Sequence, residues 1–329
     1  MIVYFDSGTT NSRCYLLTED AAFVDHMKIE FGSKNSAIMG NNAALLQKLH
    51  ELYSALLTRN GCSDEDVTRI YASGMVTSPY GIQEVPHVTL PVDIPSFARH
   101  IHPHFEDRYF HREIRLVPGL RTTGESIDHT NNLRGEEIEA IGANPRLAKQ
   151  FGAKPVAVVL PGSHTHTILM RNGAFEDLLA NFTGELYSAL QSTTILAPIL
   201  NIPVETYDPE MVSLGVENLR KYGFTRALYI CHAMQLFNRE TAIRRASYAE
   251  GVILGGLCQA LDCCCTDRWK DVENIAIVAD SASIGIYEMV LKNCRTNLKI
   301  HSFEISKNWI PSLEGIRILM NIEKGNVQL

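Results

Sequence analysis

Apolar positions open the chain as two short runs around a polar break. Ile2-Val3-Tyr4-Phe5 reaches Asp6, Ser7-Gly8-Thr9-Thr10-Asn11-Ser12 interrupts it, and Cys14-Tyr15-Leu16-Leu17 resumes. Two β-type runs around small turn residues predict a hairpin, with Ala22-Phe23-Val24 as a third antiparallel strand. The period then changes. Leu45, Leu46, Leu49, Leu52, Tyr53, Leu56 and Leu57 recur at helical spacing, which predicts a helix from Ala43 to Arg59 closed by Asn60-Gly61. Arg69 to Ala72 reads as a strand running into the small-residue loop Ser73-Gly74-Met75-Val76, and Arg115 to Leu120 as another strand ending in a turn. Residues 79–104, rich in Pro and His, read as a surface excursion. Ile138, Ala140, Ile141 and Gly142 return to helical spacing behind Glu136.

The opening pattern comes back midway. Val156-Ala157-Val158-Val159-Leu160 runs into Pro161-Gly162-Ser163-His164, and Thr165 to Met170 resumes. Aligning Gly8 with Gly162 places Ser163 under Thr9, His164 under Thr10 and Ile168 under Cys14. Two glycine-hydroxyl hairpins opening two halves of one chain predict duplicated α/β domains facing each other across a cleft, over 1–142 and 143–329. In the second half, residues 182–196, 212–222, 227–239 and 246–261 carry helical patterns, 276–278 a buried strand, and about 311–323 a final helix.

Several of these positions carry candidate chemistry. Gly8 and Gly162 allow a ligand to approach the main chain, and Thr9, Thr10, Asn11 and Ser163 offer donors suited to phosphate oxygens. Asp6, at a strand end, is placed to hold a divalent metal. The Ser73-Gly74-Met75 loop lies at a strand's carboxyl end, where ligands sit in doubly wound sheets. In Arg134-Gly135-Glu136-Glu137, two carboxylates open a helix behind an Arg. Either can take a proton from a hydroxyl attacking phosphorus, and the preference of acidic residues for helix N-termini explains them equally well.

Composition narrows the classes. With 329 residues, 45% hydrophobic and 20% charged, the chain is long enough for two cores. A net charge of −7 without Lys/Arg clusters argues against nucleic acid as a partner. The absence of a long apolar run argues against a membrane, and the lack of a signal-peptide pattern predicts a cytoplasmic protein. The eight cysteines show neither paired C-x-x-C spacing nor a disulfide framework, and read as reduced. His87, His100, His102 and His104 lack metal-ligand spacing.

The ordered set Asp6 to Arg13, Ser73-Gly74-Met75-Val76, Val117-Pro118-Gly119-Leu120, Arg134-Gly135-Glu136-Glu137, Pro161-Gly162-Ser163-His164 and Thr183-Gly184-Glu185-Leu186 resembles the 2-keto-3-deoxygalactonokinase family, end to end. The resemblance implies an α/β, actin-like ATPase fold of two ribonuclease-H-like domains flanking a nucleotide cleft. It also implies ATP and Mg²⁺, a sugar-acid acceptor, and transfer of the γ-phosphoryl group to the 6-hydroxyl of 2-dehydro-3-deoxy-galactonate or a close relative.

Carried over by position, Asp6, Gly8, Thr9 and Asn11 form the first phosphate loop and Gly162, Ser163 and His164 the second. Glu136 is the base with Glu137 as its alternative, Arg134 contacts substrate or phosphate, and Glu185 contacts the sugar acid or braces the cleft. Asp280 and Ser281 fall in the adenosine-side segment, and the last helix returns toward the hinge. Four positions, in three places, depart from the family: Ser7 replaces a Trp, His166-Thr167 a Lys-Trp pair, and Asp280 a Gly. These departures keep two rivals open, a binding protein that has lost transfer and an ATP phosphohydrolase. A homodimer stays open as well.

Overall fold

The structure, a computed structural model, describes residues 1–124 and 126–325. The chain separates into two units. The first holds Met1–Gln150, Gly173–Leu178 and the chain from Asn308 on, and the second holds Phe151–Asn172 and Leu179–Lys307.

In the first unit, β1 (Ile2–Ser7), β2 (Ser12–Leu17) and β3 (Phe23–Ile29) form an antiparallel meander. α1 (Ser33–Met39) and α2 (Ala43–Arg59) follow, then β4 (Arg69–Gly74), β5 (His102–Glu106), β6 (Arg112–Leu116) and α3 (Glu136–Phe151). The sheet runs in the order β3-β2-β1-β4-β6-β5, with β1 parallel to β4 and β4 parallel to β6. The leucine stripe of α2 is buried and shares one core with Val3, Phe5, Cys14 and Leu16 of the hairpin. Burying that apolar stripe holds the helix on the sheet.

A second six-stranded sheet repeats this plan, its third strand counted up to Leu178 with the first unit and a two-residue strand, Val92–Asp93, paired on that strand's outer edge. β7 (Val156–Leu160), β8 (Thr165–Arg171) and β9 (Ala174–Asn181) precede a helical stretch of α4 (Gly184–Thr193), α5 (Pro209–Tyr222), α6 (Phe224–Leu236) and α7 (Ala242–Asp267). β10 (Asn274–Ala279), α8 (Ser281–Leu291) and β11 (Lys299–Glu304) complete it. Its strand order is β11-β10-β7-β8-β9, so β9-β8-β7-β10-β11 matches β3-β2-β1-β4-β6 of the first unit. The duplication is therefore one of topology as well as of turns.

Three expectations are corrected. The boundary at 142/143 falls inside α3, which stays whole to Phe151. The final helix, α9 (Pro311–Glu323), belongs to the first unit and not to the half that precedes it. It crosses α3 where Gly142 and Gly315 let the backbones touch, and its Glu323 accepts hydrogen bonds of 2.5 Å from both Tyr71 and Arg115. Residues 79–104 are more than an excursion, because β5 begins at His102 and pairs antiparallel with β6 at the sheet edge. An edge strand needs no apolar face. Phe105 stays 62% exposed while the buried Glu106 carboxylate accepts the N–H groups of Arg108, Tyr109 and Phe110.

Candidate functional site

The first glycine turn is closed by a 2.7 Å bond between the Ser7 and Ser12 hydroxyls, and the Gly8 N–H donates to the Asn11 carbonyl at 2.8 Å. The start of α1 sits on this turn: Ser33 N–H donates to the Gly8 carbonyl and Lys34 N–H to that of Thr9. Gly32 makes this approach possible, since a Cβ there would lie 2.5 Å from both carbonyl oxygens. Gly8 itself is under no such constraint. A Cβ on it would meet only the Asn11 oxygen, at 3.7 Å, and what it offers is an exposed backbone. Thr10 is exposed beside it, and Thr9 and Asn11 are half-buried.

The second turn is built the same way. A Cβ on Gly184 would collide with the Gly162 carbonyl oxygen, and Glu185 N–H donates to the Ser163 carbonyl at 2.7 Å. Thr183 and Thr165 share a 2.8 Å hydroxyl bond, while His164 lies 3.3 Å from the Glu185 carboxylate and 5.0 Å from the Phe182 ring centre. The Thr183-Gly184-Glu185 segment thus braces this turn. One detail of the repeat shifts. Residues 8–11 separate the paired Ser7 and Ser12, whereas 161–165 separate the paired Leu160 and His166, so the second loop is longer by one residue.

At the carboxyl ends of β1 and β4 the register sets Asp6 beside Ser73 and Ser7 beside Gly74. Tyr4 bonds the Ser73 hydroxyl at 2.7 Å, and Gly135 packs over the Gly74 Cα, which brings the first turn of α3 to the same place. Asp6 pairs with Arg13 at 3.0 Å. Burial raises its carboxyl above the usual range, Arg13 opposes the rise, and Glu136 adds to it. Glu139, which the sequence reading passed over, is pushed up to about 8 by burial, then by Asp6 and Glu136. Its only sequence signal was the i, i+3 spacing from Glu136, which puts both on one helix face. Met75 follows in the turn after Gly74, and its carbonyl accepts the Ser78 hydroxyl.

Glu137 and Arg134 are engaged elsewhere. Glu137 is 0% exposed and accepts the Gly135 N–H at 2.7 Å. Arg134 donates to Thr77 and to the Val85 carbonyl, both at 2.8 Å, and lies 3.3 Å from His87. His87 is depressed to about 4, first by burial and then by that guanidinium.

In the second unit, Gly162, Gly184 and Asp280 line one cavity of about 450 Å³ together with Tyr187, Tyr207 and Glu250. Asp280 caps α8: its carboxylate accepts Ser283 N–H at 2.8 Å and the Ser283 hydroxyl at 3.3 Å. Ser281 is the first residue of that helix.

The sequence pattern of the 2-keto-3-deoxy-galactonokinases matches residues 6–307. The chain belongs to that family. A protein of Rhizobium meliloti (strain 1021) described as a probable 2-dehydro-3-deoxygalactonokinase, DgoK1, is 25% identical over 194 residues, covering 58% of this chain and 56% of that one. The chain thus spans little more than half the length of this curated relative. A crystal structure of a Sinorhizobium meliloti protein, provisionally assigned as a 2-dehydro-3-deoxygalactonokinase, superposes with a TM-score of 0.75 at 20% identity over 100% of both chains. The activator of the 2-hydroxyisocaproyl-CoA dehydratase from Clostridium difficile, with bound ADPNP, reaches 0.50 at 12% identity over 100% of this chain and 98% of that one. These likenesses place the two units in the ribonuclease-H-like, actin-like ATPase fold.

For this family member, the burial of Glu137 has a consequence for stability. Burial, and next the charge of Glu136, hold its carboxyl well above the ordinary 4.5. The unfolded chain ionises first, so stability falls as pH rises above about 4.5 toward the raised folded value. Glu137→Gln removes that loss. Its melting temperature should exceed the parent's by about 3 °C or more at pH 8 and equal it at pH 4, by calorimetry. A lower value at pH 8 would show that the ionised carboxylate is wanted in the fold.

Proposed function

We propose that this chain is an ATP-dependent sugar-acid kinase that phosphorylates the 6-hydroxyl of 2-dehydro-3-deoxy-galactonate or a close relative. The observation that carries the reading is the repeated device, in each unit, of a glycine turn with a helix start packed on its carbonyls. The helix starts hold the turns in shape, and the exposed backbone at Gly8 and Gly162 suits phosphate oxygens.

The residues present fit both groups that the reaction needs. A hard carboxylate oxygen at Asp6 suits Mg²⁺, which keeps several waters and takes only one or two protein carboxylates. Among the described residues no three His, Cys, Asp or Glu side chains form a ready cage. Arg13 occupies one Asp6 oxygen and leaves the other for the metal or its water. The cavity in the second unit falls within the ordinary size of a ligand pocket, about 300–1,000 Å³.

Mg²⁺-ATP, when bound, supplies the γ-phosphoryl group with its charge partly neutralised. The chain's own residues do the positioning. Gly8, Thr9, Thr10 and Asn11 of the first turn offer donors suited to phosphate oxygens, as do Gly162, Ser163 and His164 of the second. Asp280 and Ser281 open a helix on the nucleotide's side, and the carboxylate of Asp280 is already spent on capping. The Ser73-Gly74-Met75 loop lies on the acceptor's side, with Met75 half-buried, Ser73 and Gly74 buried behind it, and Arg134 holding the 77–87 segment. Glu136 accepts the hydroxyl proton, because it is half-buried at the helix start whereas Glu137 is closed off. Glu185 acts as a brace of the second turn.

The reading carries with it the cytoplasm as compartment and small molecules as partners. Among the described residues no helix is long and apolar enough to cross a membrane. Magnesium-dependent ADP release, followed with 2-dehydro-3-deoxy-galactonate absent and then present, tests it. The kinase releases ADP only with the acceptor. Release without acceptor would indicate a phosphohydrolase, and no release in either case a binding protein.

A further inference from the structure

The cavity of the second unit contains two carboxylates, and only one is used. Asp280 is bound to Ser283 through both oxygens. Glu250, half-buried on α7, accepts one hydrogen bond, from the Tyr207 hydroxyl to its Oε1 at 3.0 Å. Among the described residues its Oε2 has no hydrogen-bond partner. The cavity is lined by the apolar and aromatic Val204, Tyr187, Ile253 and Leu254, of which Ile253 and Leu254 lie one turn on from Glu250 along α7, and also by Gly162, Gly184 and the start of α8. Phosphates belong with the turns and helix starts, and a flat base with the tyrosines and aliphatics. Glu250 therefore stands where a base edge would pass.

We propose that Glu250 reads the nucleobase, selecting adenine over guanine by presenting one donor and one acceptor from a single carboxyl edge. This rests on the nucleotide reading above. A protonated carboxyl carries an O–H donor and a carbonyl acceptor, which match the N1 acceptor and N6 amino donor of adenine. Guanine presents donors at N1 and N2 and an acceptor at O6, so an ionised, acceptor-only carboxylate suits it better. Burial pushes Glu250 up to about 7, so the donor is available at neutral pH and is lost above it. The titratable groups that face it are Tyr207 ahead of α5, Tyr187 of α4 and Tyr287 of α8. Tyr187 is itself pushed up to about 12 and Tyr207 and Tyr287 are raised too, so none of the three titrates near neutrality. Asp280 also lines the cavity, and among the described residues no Lys, Arg or His does.

Calorimetric dissociation constants for ADP and GDP, taken at pH 6 and pH 8 on the full chain, test this. The β-phosphate titrates alike in both ligands and cancels in their ratio. In the parent, the preference for ADP should fall about tenfold between the two pH values. Glu250→Gln keeps a donor and an acceptor at every pH, so its preference should stay at the parent's pH 6 value. Glu250→Ala should show about a tenfold weaker preference at both. A parent preference that does not change with pH, or one shared by all three proteins, overturns the role of Glu250 while leaving the nucleotide site standing. Failure of the parent to bind ADP at all overturns both.

Discussion

Glu136→Gln is expected to lower kcat by about 10²–10⁴-fold, the usual worth of a positioned general base. The substitution keeps size and hydrogen-bonding capacity and removes only the ability to take a proton. Its cost to the helix is small, since a lost charge at the first turn of α3 is worth about 0.3–1 kcal/mol. The dissociation constant for ADP should stay within about twofold of the parent's, since the proposed nucleotide cavity is lined by second-unit residues only. Glu137→Gln should leave kcat nearly unchanged, because that carboxyl is 0% exposed and bonded to Gly135 N–H. Steady-state kinetics on the two variants, with melting temperatures as a check of folding, separate the candidates. Equal losses at both positions would reassign the base to Glu137. A loss confined to Glu139→Gln would move the proton acceptor one turn along α3.

The second large effect is expected at the crossing of α3 with α9. A methyl on Gly142 would run into the Pro311 carbonyl oxygen, and one on Gly315 into that of Ile138. Both obstacles are backbone, so no side chain can swing aside, and the helices must part. Each Gly→Ala exchange gains about 1 kcal/mol of helix propensity and should still lose about 3 kcal/mol net through overpacking. At about 2–4 °C per kcal/mol, the melting temperature should drop by about 6–12 °C. Gly256 provides the contrast: it lies within α7 with nothing within 4 Å of its added Cβ, so Gly256→Ala should stabilise by about 1 kcal/mol. Wild-type melting for Gly142→Ala and Gly315→Ala would mean that the close crossing of α3 and α9 does not exist in solution. Parting them also loosens Glu323 from Tyr71 and Arg115, which ties this packing to the sheet that presents Asp6.

What the chain reveals by itself follows the range of the forces involved. The β1–β2 hairpin and the bounds of α2 are legible because turn chemistry and a leucine stripe act within a few residues. The duplication is legible because each hairpin carries its own glycine. The edge strand β5 is not, since its inward positions His102, His104 and Glu106 are polar and its apolar Phe105 lies on the exposed face, the reverse of the usual strand pattern. Gly32, Glu139 and Glu250 were missed for a related reason. Each draws its meaning from a neighbour brought in by folding: the Gly8 carbonyl, the Asp6 carboxylate and the Tyr207 hydroxyl.

The three departures from the family pattern also look different in three dimensions. Ser7 is 0% exposed and closes the first turn through Ser12, His166 is buried in β8, and Asp280 spends its charge on a helix cap. Capping draws the Asp280 carboxylate onto the Ser283 N–H at the start of α8, an N–H that a Gly there would leave free.

The most direct test of the kinase reading is proton-coupled ³¹P NMR of the product formed from ATP, Mg²⁺ and 2-dehydro-3-deoxy-galactonate. Transfer to the primary 6-hydroxyl gives a phosphomonoester signal split into a triplet by the two C6 protons. A doublet from a secondary alcohol, or orthophosphate alone, would contradict it.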